Sequence, residues 1–157
     1  MILDTGPIRE LVCYHAVHQL RFHRLSGELG HFKNREAYDS CSHFLGSFPH
    51  KLTSASVVAE LYNWIKRTDR DGQSRLWGQI YDEFRNMGMD EEVVKLLEMP
   101  IDLVTHHGPV DVSLLKLAEQ HRPRHAVILT LDSWLWNECQ KARIDSRLLS
   151  QVCHSGE

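Results

Sequence analysis

Four acidic residues stand at the points of the sequence where chemistry could be placed. Asp4 closes the apolar opening MILD, and Asp132 follows the strand-like run HAVILTL. Asp111 lies near the start of one helical pattern, and Glu60 lies about a turn and a half into another. Carboxylates gathered in one pocket repel one another, so such a set is tolerable only if a cation neutralises it. Because oxygen ligands favour Mg²⁺ or Mn²⁺ over Zn²⁺, the four residues predict a divalent-metal site.

Each aspartate also has a simpler interpretation, because an aspartate at the start of a helix ordinarily caps that helix. Convergence favours the metal site: in an open parallel sheet, sites form at the carboxyl ends of the strands. Asp111 and Asp132 each stand above a buried stripe at positions i, i+4 and i+7 of a predicted helix. Both side chains are therefore predicted to point inward at the top of a helix.

Other chemistries have weaker support in the residues. The serines and cysteines have no identifiable histidine partner at a strand end, which disfavours acyl-type nucleophilic catalysis. A phosphatase with an aspartyl nucleophile also begins with a strand ending in aspartate, but it usually has a second aspartate two residues later, where Gly6 stands. The 11 histidines lack a zinc-type pattern of ligands.

The elements that must position the carboxylates alternate between strand and helix patterns. The first half of the chain predicts a strand at 1–4, a helix from 8 to about 25, a weaker helix from about 35 to 44, a strand at 51–53 with Ser54 as a cap, and a helix at 55–67 that residues 69–72 break. The second half predicts a helical pair at 73–86 and about 89–98, a strand at 101–105, a helix at 110–121, a strand at 125–131, a helix at 132–142 and an edge strand at 146–150.

This alternation implies right-handed crossovers and a central, mostly parallel sheet covered by helices on both faces. We therefore expect an α/β fold, a three-layer α/β/α sandwich, in a single domain spanning 1–157. The net charge of −3 and the pI near 6.4 exclude a globally basic nucleic-acid-binding protein. Four widely spaced cysteines and the lack of an apolar stretch of about 18–20 residues predict a reduced, cytoplasmic protein with no membrane span.

Four segments resemble, in order and at suitable distances, the motifs of the PIN-domain family: ILDTGPI, SASVVAELYNWI, VDVSLLKLAEQ and ILTLDSWLWNECQ. The resemblance spans nearly the whole chain and rests on the ordered set of Asp, Glu, Asp and a TxD strand end. It implies a small α/β/α nuclease that binds Mg²⁺ or Mn²⁺ and cuts a phosphodiester, usually of RNA. Many members are the toxins of bacterial toxin–antitoxin pairs, which implies an antitoxin partner, and relatives are often homodimers.

By match to these motifs, the catalytic and metal-binding set is Asp4, Glu60, Asp111 and Asp132, with Thr5, Thr130 and Ser133 as polar neighbours. Some relatives carry a further acidic residue directly after the last aspartate, where this chain has Ser133. The alternative is therefore a catalytically weak or inactive PIN-like module that binds RNA or protein without cutting.

Contacts to a substrate or to a second copy are predicted from position alone. Basic residues near element ends could contact RNA phosphates, and these are Arg9, Lys51, Arg122 and Arg124. Trp134 and Trp136 could stack on bases, although Trp136 falls on the inward stripe and suits the core. The helical pair at 73–98 could form a dimer interface or a core face through Leu76, Trp77, Ile80, Tyr81 and Phe84.

Overall fold

A five-stranded, wholly parallel sheet forms the centre of the molecule in a computed structural model that describes residues 1–68 and 73–153. The strand order is β3-β2-β1-β4-β5. The strands are β1 Ile2–Leu3, β2 Lys51–Ser54, β3 Met89–Glu92, β4 Val127–Thr130 and β5 Asp145–Leu148. The break predicted at 69–72 lies outside the described residues.

Helices flank this sheet on both faces, which confirms the predicted three-layer α/β/α sandwich. The helices are α1 Thr5–His18, α2 Arg35–Gly46, α3 Ala55–Thr68, α4 Gln73–Met87, α5 Ile101–His107, α6 Pro109–Gln120, α7 Ser133–Lys141 and α8 Leu149–Cys153. Short 3₁₀ turns occupy His23–Glu28, Leu96–Glu98 and Arg122–Arg124.

The central strands are apolar because helices cover both of their faces. Ile2 pairs with Leu52 on one side and with Ile128 on the other, and Leu3 pairs with Leu129. Ile2, Leu3, Ile128 and Leu129 are completely buried. The edge strands have the polar sequences MDEE and DSRL, which suits strands with a solvent-facing side.

Two segments differ from the prediction. Residues 89–98, predicted as a helix, form β3 and a 3₁₀ turn, because Met89–Glu92 pairs in register with Lys51–Ser54. Residues 101–105, predicted as a strand from their β-branched content, lie in helix α5. Ile101 is 71% exposed, so this segment does not supply the buried strand that its composition indicated. In both segments the tertiary environment overrides local propensity.

Smaller shifts occur at element ends. Helix α1 begins at Thr5 and ends at His18, where the prediction placed it between residue 8 and about residue 25. Strand β5 ends at Leu148, and the remainder of the predicted strand at 146–150 begins helix α8. The predicted cap at Ser54 is confirmed, since its hydroxyl accepts a hydrogen bond from the Val57 amide.

A buried carboxylate that the sequence analysis did not single out holds the loop after α1. Glu10 is 2% exposed and accepts hydrogen bonds from the His31 and Phe32 amides and from His31 Nδ1. These three donors satisfy its charge within the protein, so Glu10 has a structural explanation.

No helix among the described residues is long and apolar enough to cross a membrane.

Candidate functional site

Strand order brings Asp4 and Asp132 to the same edge of the sheet. Strands β1 and β4 are neighbours, and the Asp4 amide continues their pairing by donating to the Leu129 carbonyl at 3.1 Å. The Thr130 hydroxyl donates to Asp4 Oδ2 at 2.7 Å and accepts from the Asp132 amide at 2.8 Å. One buried threonine therefore connects the two aspartates that the sequence placed 128 residues apart.

Both aspartates cap the helices that follow them, as their simpler interpretation predicts. Asp4 Oδ1 accepts from the Thr5 amide at 2.6 Å, and Asp132 Oδ1 accepts from the Leu135 amide at 2.9 Å. Each cap uses one carboxylate oxygen. The other oxygen of Asp4, Oδ2, accepts from Thr130, and the Asp132 side chain is exposed. Capping and ligand binding are thus compatible at these positions.

Asp4 is the most buried of the four carboxylates, at 6% exposure. Burial raises its pKa to about 6, the hydrogen bonds from Thr130 and Thr5 oppose the rise, and the charges of Glu60 and Asp132 add to it. A buried carboxylate without a cationic partner is costly in its charged form. Asp4 is therefore poised to gain stability from a neighbouring positive charge.

Glu60 joins this arrangement from helix α3. The Thr5 hydroxyl donates to Glu60 Oε2, while the Thr5 amide donates to Asp4. Glu60 is itself exposed, so the threonine holds an otherwise mobile side chain toward the buried aspartate. Thr5 and Thr130, predicted as polar neighbours of the carboxylates, both contact them directly.

Asp111 completes the set from the first turn of α6. Its pKa is raised to about 7, first by burial and then by the charges of Asp4, Asp132 and Glu60. The structure therefore brings all four predicted carboxylates within electrostatic range of one another. Without a cation, the group cannot be fully ionised at neutral pH except at a cost in free energy.

The four carboxylates match a hard divalent cation in charge and in donor type. Asp4 is buried, Thr130 donates to its Oδ2, and a cation would offset the burial and the neighbouring charges that raise the pKa values of Asp4 and Asp111. Their side chains do not enclose such an ion as they stand, because no three His, Cys, Asp or Glu residues in 1–68 and 73–153 are arranged to hold a metal. Binding would therefore require side-chain movement, most readily at the exposed Glu60 and Asp132.

Buried hydroxyls that the sequence analysis missed hold the helices at this edge. Ser113 on α6 is completely buried and donates to the Ser54 hydroxyl at 2.8 Å, which ties α6 to the end of β2. The Thr53 hydroxyl donates to the Leu3 carbonyl at 2.9 Å and so joins β2 to β1. Ser113 interrupts the apolar stripe of VDVSLL, and that interruption was the available signal.

Gly6 is a second missed residue, and it allows a close approach beside the site. A Cβ on Gly6 would lie 2.8 Å from Leu131 Cδ1 and 3.0 Å from Leu131 Cβ, directly before Asp132. The first turn of α1 can therefore contact the β4–α7 connection only because residue 6 has no side chain. The same contact with Leu131 leaves no room for an aspartate at residue 6, the position where an aspartyl phosphatase usually has its second carboxylate.

Gly6→Ala is expected to destabilise the protein by about 1–3 kcal/mol, because the added methyl group must displace Leu131. Gly78→Ala is the matched control within a helix, since nothing lies within 4 Å of a Cβ there. That control is expected to be stabilising by about 0.5–1 kcal/mol through its helix propensity. Urea denaturation would measure both, and equal midpoints for the two variants would contradict the packing argument.

The predicted basic contacts lie away from the carboxylates, with one exception. Lys51 begins β2 at the opposite end of the strand, and its Nζ donates to the Phe48 carbonyl at 3.0 Å. Arg122 and Arg124 lie in the turn that precedes β4, also at the amino end of the sheet. Arg9 lies on α1 nearer the site, and its buried Nε has no hydrogen-bond partner among the described residues. Position along the sequence did not reveal which end of a strand each cation would occupy.

A cavity of about 530 Å³ lies between α4 and β3 and includes none of the four carboxylates. Tyr81, which is 64% exposed, lines it together with Trp77 and Phe84. Leu76 and Ile80, from the same predicted interface, belong to the core. We place the candidate site at the carboxylates because Asp4 and Asp111, whose pKa values are raised, lie there beside Glu60 and Asp132, whereas the cavity is lined mostly by apolar residues.

Ser133 begins helix α7 and is exposed beside Asp132. Comparison with protein-family models, with curated proteins and with solved structures found no match to the chain. The case for this site accordingly rests on the chain's own residues and their geometry.

Proposed function

We propose that the protein is a PIN-like endoribonuclease that uses Mg²⁺ or Mn²⁺ to hydrolyse RNA phosphodiester bonds. Asp4, Glu60, Asp111 and Asp132 would hold the cation. The observation that supports the proposal is the gathering of four carboxylates at the carboxyl edge of a parallel sheet, where Thr5 and Thr130 contact the acidic side chains and where burial, with the neighbouring charges, raises the pKa values of Asp4 and Asp111. A bound cation would relieve the repulsion among these carboxylates, and groups with shifted pKa values are common at functional sites.

A bound Mg²⁺ or Mn²⁺ would lower the pKa of coordinated water and stabilise the charge that develops on the phosphate. The protein's side chains would position the cation and balance its charge. Thr130 orients Asp4 Oδ2 before binding, and Thr5 contacts Glu60, whose exposed side chain would move to reach the cation. Because Asp4 and Thr130 are buried, electrostatic interactions with them are stronger than they would be in water.

The resemblance to PIN proteins also supports a role as the toxin of a toxin–antitoxin pair in the cytoplasm, with an antitoxin protein as partner. A small reading frame adjacent to the gene would strengthen this assignment. Homodimer formation through the α4 face is part of the same proposal, with the exposed Tyr81 as its most accessible residue. A sedimentation measurement that gives only monomer would remove the dimer from it.

A second candidate function is a PIN-like module that binds RNA or protein without cutting. Two observations favour it: Ser133 stands where some relatives are acidic, and the carboxylates do not enclose a metal ion as they stand in the described residues. Binding of RNA with no cleavage in either metal would support this second function over the first.

The test of nuclease function is cleavage of end-labelled single-stranded RNA by purified protein in Mn²⁺ or Mg²⁺, with EDTA as the metal-free arm. Asp132→Asn is expected to abolish cleavage without unfolding α7, because asparagine also accepts the capping bond from the Leu135 amide. Asp145→Asn is the control, an exposed aspartate at the start of β5. Cleavage that persists in EDTA and in Asp132→Asn would exclude the proposed mechanism.

A further inference from the structure

Two aromatic rings stack between helix α5, which precedes Asp111 in the chain, and helix α7, which follows Asp132. The centroids of the His107 imidazole and the Trp134 indole are 3.5 Å apart, and the rings are within 11° of parallel. Trp134 lies in the first turn of α7, two residues after Asp132. His107 ends α5, four residues before Asp111. The pair therefore joins α5, which directly precedes the helix that carries Asp111, to α7, which Asp132 caps.

The turn between His107 and Asp111 makes this contact achievable. Gly108 has a φ of 88°, a conformation that L side chains rarely adopt, and Pro109 starts α6 directly after it. The sharp corner brings the last residue of α5 back beside the N-terminus of α6. His107 is thereby fixed relative to Asp111 by backbone geometry.

The stack has an inner and an outer member. Trp134 packs against the hydrophobic core, and His107 is half-buried against the face of the indole. The neighbouring His106 is exposed, tilted by 40° with its centroid 6.2 Å from that of His107, and bonded through Nδ1 to the Asp102 carbonyl. His106 is therefore outside the parallel stack. His107 and Trp134 are both half-buried, so the stacked pair is partly accessible to solvent.

We propose that His107, supported from behind by Trp134, is a stacking subsite for an unpaired nucleobase of a single-stranded substrate. This inference rests on the proposed nuclease function, since it places the base beside the phosphate that the carboxylates would address. A flat ring held rigidly by a second ring offers a preformed surface for a base, and every nucleobase has such a face. The subsite selects for the presence of an accessible base and not for its identity.

A base that is paired and stacked in a duplex has both faces covered, so the subsite disfavours double-stranded RNA. The preference comes from the shape of the platform, and Lys51, Arg122 and Arg124, three of the four basic residues predicted to contact RNA, lie at the other end of the sheet. Affinity is accordingly expected to depend on the base near the cleaved bond more than on a long run of phosphates.

The test is binding of a fluorescein-labelled single-stranded RNA octamer, followed by anisotropy in Ca²⁺ to slow hydrolysis. His107→Ala is expected to weaken binding by about tenfold, the usual effect of one base–aromatic stack. His107→Phe keeps a flat ring and should retain near wild-type affinity, and His106→Ala is the matched control that should change nothing. Circular dichroism of each variant would show that the fold is retained.

An abasic scan of the octamer localises the effect. Removing one base in the wild-type complex is expected to reproduce the tenfold loss at a single position, and that same removal should cost nothing further in His107→Ala. Equal affinity of all three variants and the wild type, or no binding of the octamer at all, would overturn the stacking subsite and leave the ring pair as packing between α5 and α7. Equal losses in His107→Phe and His107→Ala would overturn it as well.

The two proposals fail separately. If the octamer binds through His107 but is never cut in Mg²⁺ or Mn²⁺, the nuclease function fails and the base-binding subsite stands. If metal-dependent cleavage is found while His107→Ala binds and cuts as the wild type does, the nuclease function stands and the subsite fails.

Discussion

Asp4→Asn is expected to lower metal-dependent cleavage by about 10²–10³-fold and at the same time to stabilise the metal-free protein. Activity falls because the substitution removes a buried charged ligand. Stability rises because burial lifts the pKa of Asp4 from 3.8 to about 6, so its ionised form opposes folding at pH 8. The gain is about 1–3 kcal/mol after the loss of part of the bond from Thr130 is subtracted.

Thermal unfolding in EDTA at pH 8, together with cleavage rates in Mn²⁺, measures both effects. The opposite signs make the prediction specific, because a residue that only capped α1 would lose stability or leave it unchanged on substitution. Asp145→Asn should leave both activity and melting temperature near wild-type values, as expected for an exposed surface aspartate. A fall in stability for Asp4→Asn would identify the residue as structural and count against a cation site.

The metal-free protein is expected to lose stability as the pH rises from about 4 to about 7. Burial and the neighbouring carboxylates raise the pKa of Asp111 to about 7, and burial raises that of Asp4 to about 6. Between the unfolded value of 3.8 and these folded values, the native state binds more protons than the unfolded state does. Stability is therefore greatest below the unfolded pKa and falls as the pH passes through the folded one.

The size of this fall is about 2–4 kcal/mol. Asp4 is nearly fully buried and supplies most of it, while Asp111 is half-exposed, so solvent screening reduces its share to about 1 kcal/mol. For a chain of 157 residues, the total corresponds to a drop of roughly 5–10 °C in melting temperature. Millimolar Mg²⁺ or Mn²⁺ should restore much of it at pH 7.5, because the cation binds the native state.

Melting curves of the wild type and of Asp111→Asn between pH 4.5 and 8 in EDTA provide the measurement. The difference between the two proteins isolates Asp111, because the other titrating groups, including the histidines, are common to both. Asp111→Asn should have the higher melting temperature at pH 8, and its advantage should shrink as the pH falls to 4.5. Parallel curves, or a difference that grows toward low pH, would show that the pKa of Asp111 is not raised in the folded protein.

Most strands and helices could be predicted because their local patterns and their burial agree. The run VILT is apolar and lies in the middle of the sheet, and Ser54 caps α3 where the pattern placed a cap. The segment MDEE could not be predicted as a strand, because its glutamates favour a helix and only pairing with β2 makes it extended. The segment IDLVT failed for the opposite reason, since it is helical in α5 and its β-branched Ile101 and Thr105 face solvent.

The candidate site divides in the same way. Asp4 and Asp132 were recognisable because an acidic residue directly after an apolar strand is unusual, and Glu60 and Asp111 were recognisable from their positions near helix starts. Ser113, Gly6 and the stack of His107 on Trp134 were not recognisable, because each depends on a contact between residues distant in sequence. The positions of Lys51, Arg122 and Arg124 also depended on the direction of the strands they precede.

The fold class and the identity of the acidic residues follow from the amino-acid sequence, because hydrophobic periodicity and the order of strands and helices are properties of the chain. The position of β1 between β2 and β4 is a feature of the three-dimensional fold, and it places Asp4, Glu60, Asp111 and Asp132 in one electrostatic group. The physical reason is that charge interactions depend on distances in space. Burial then adds to the effect of the neighbouring charges, and together they raise the pKa values of Asp4 and Asp111.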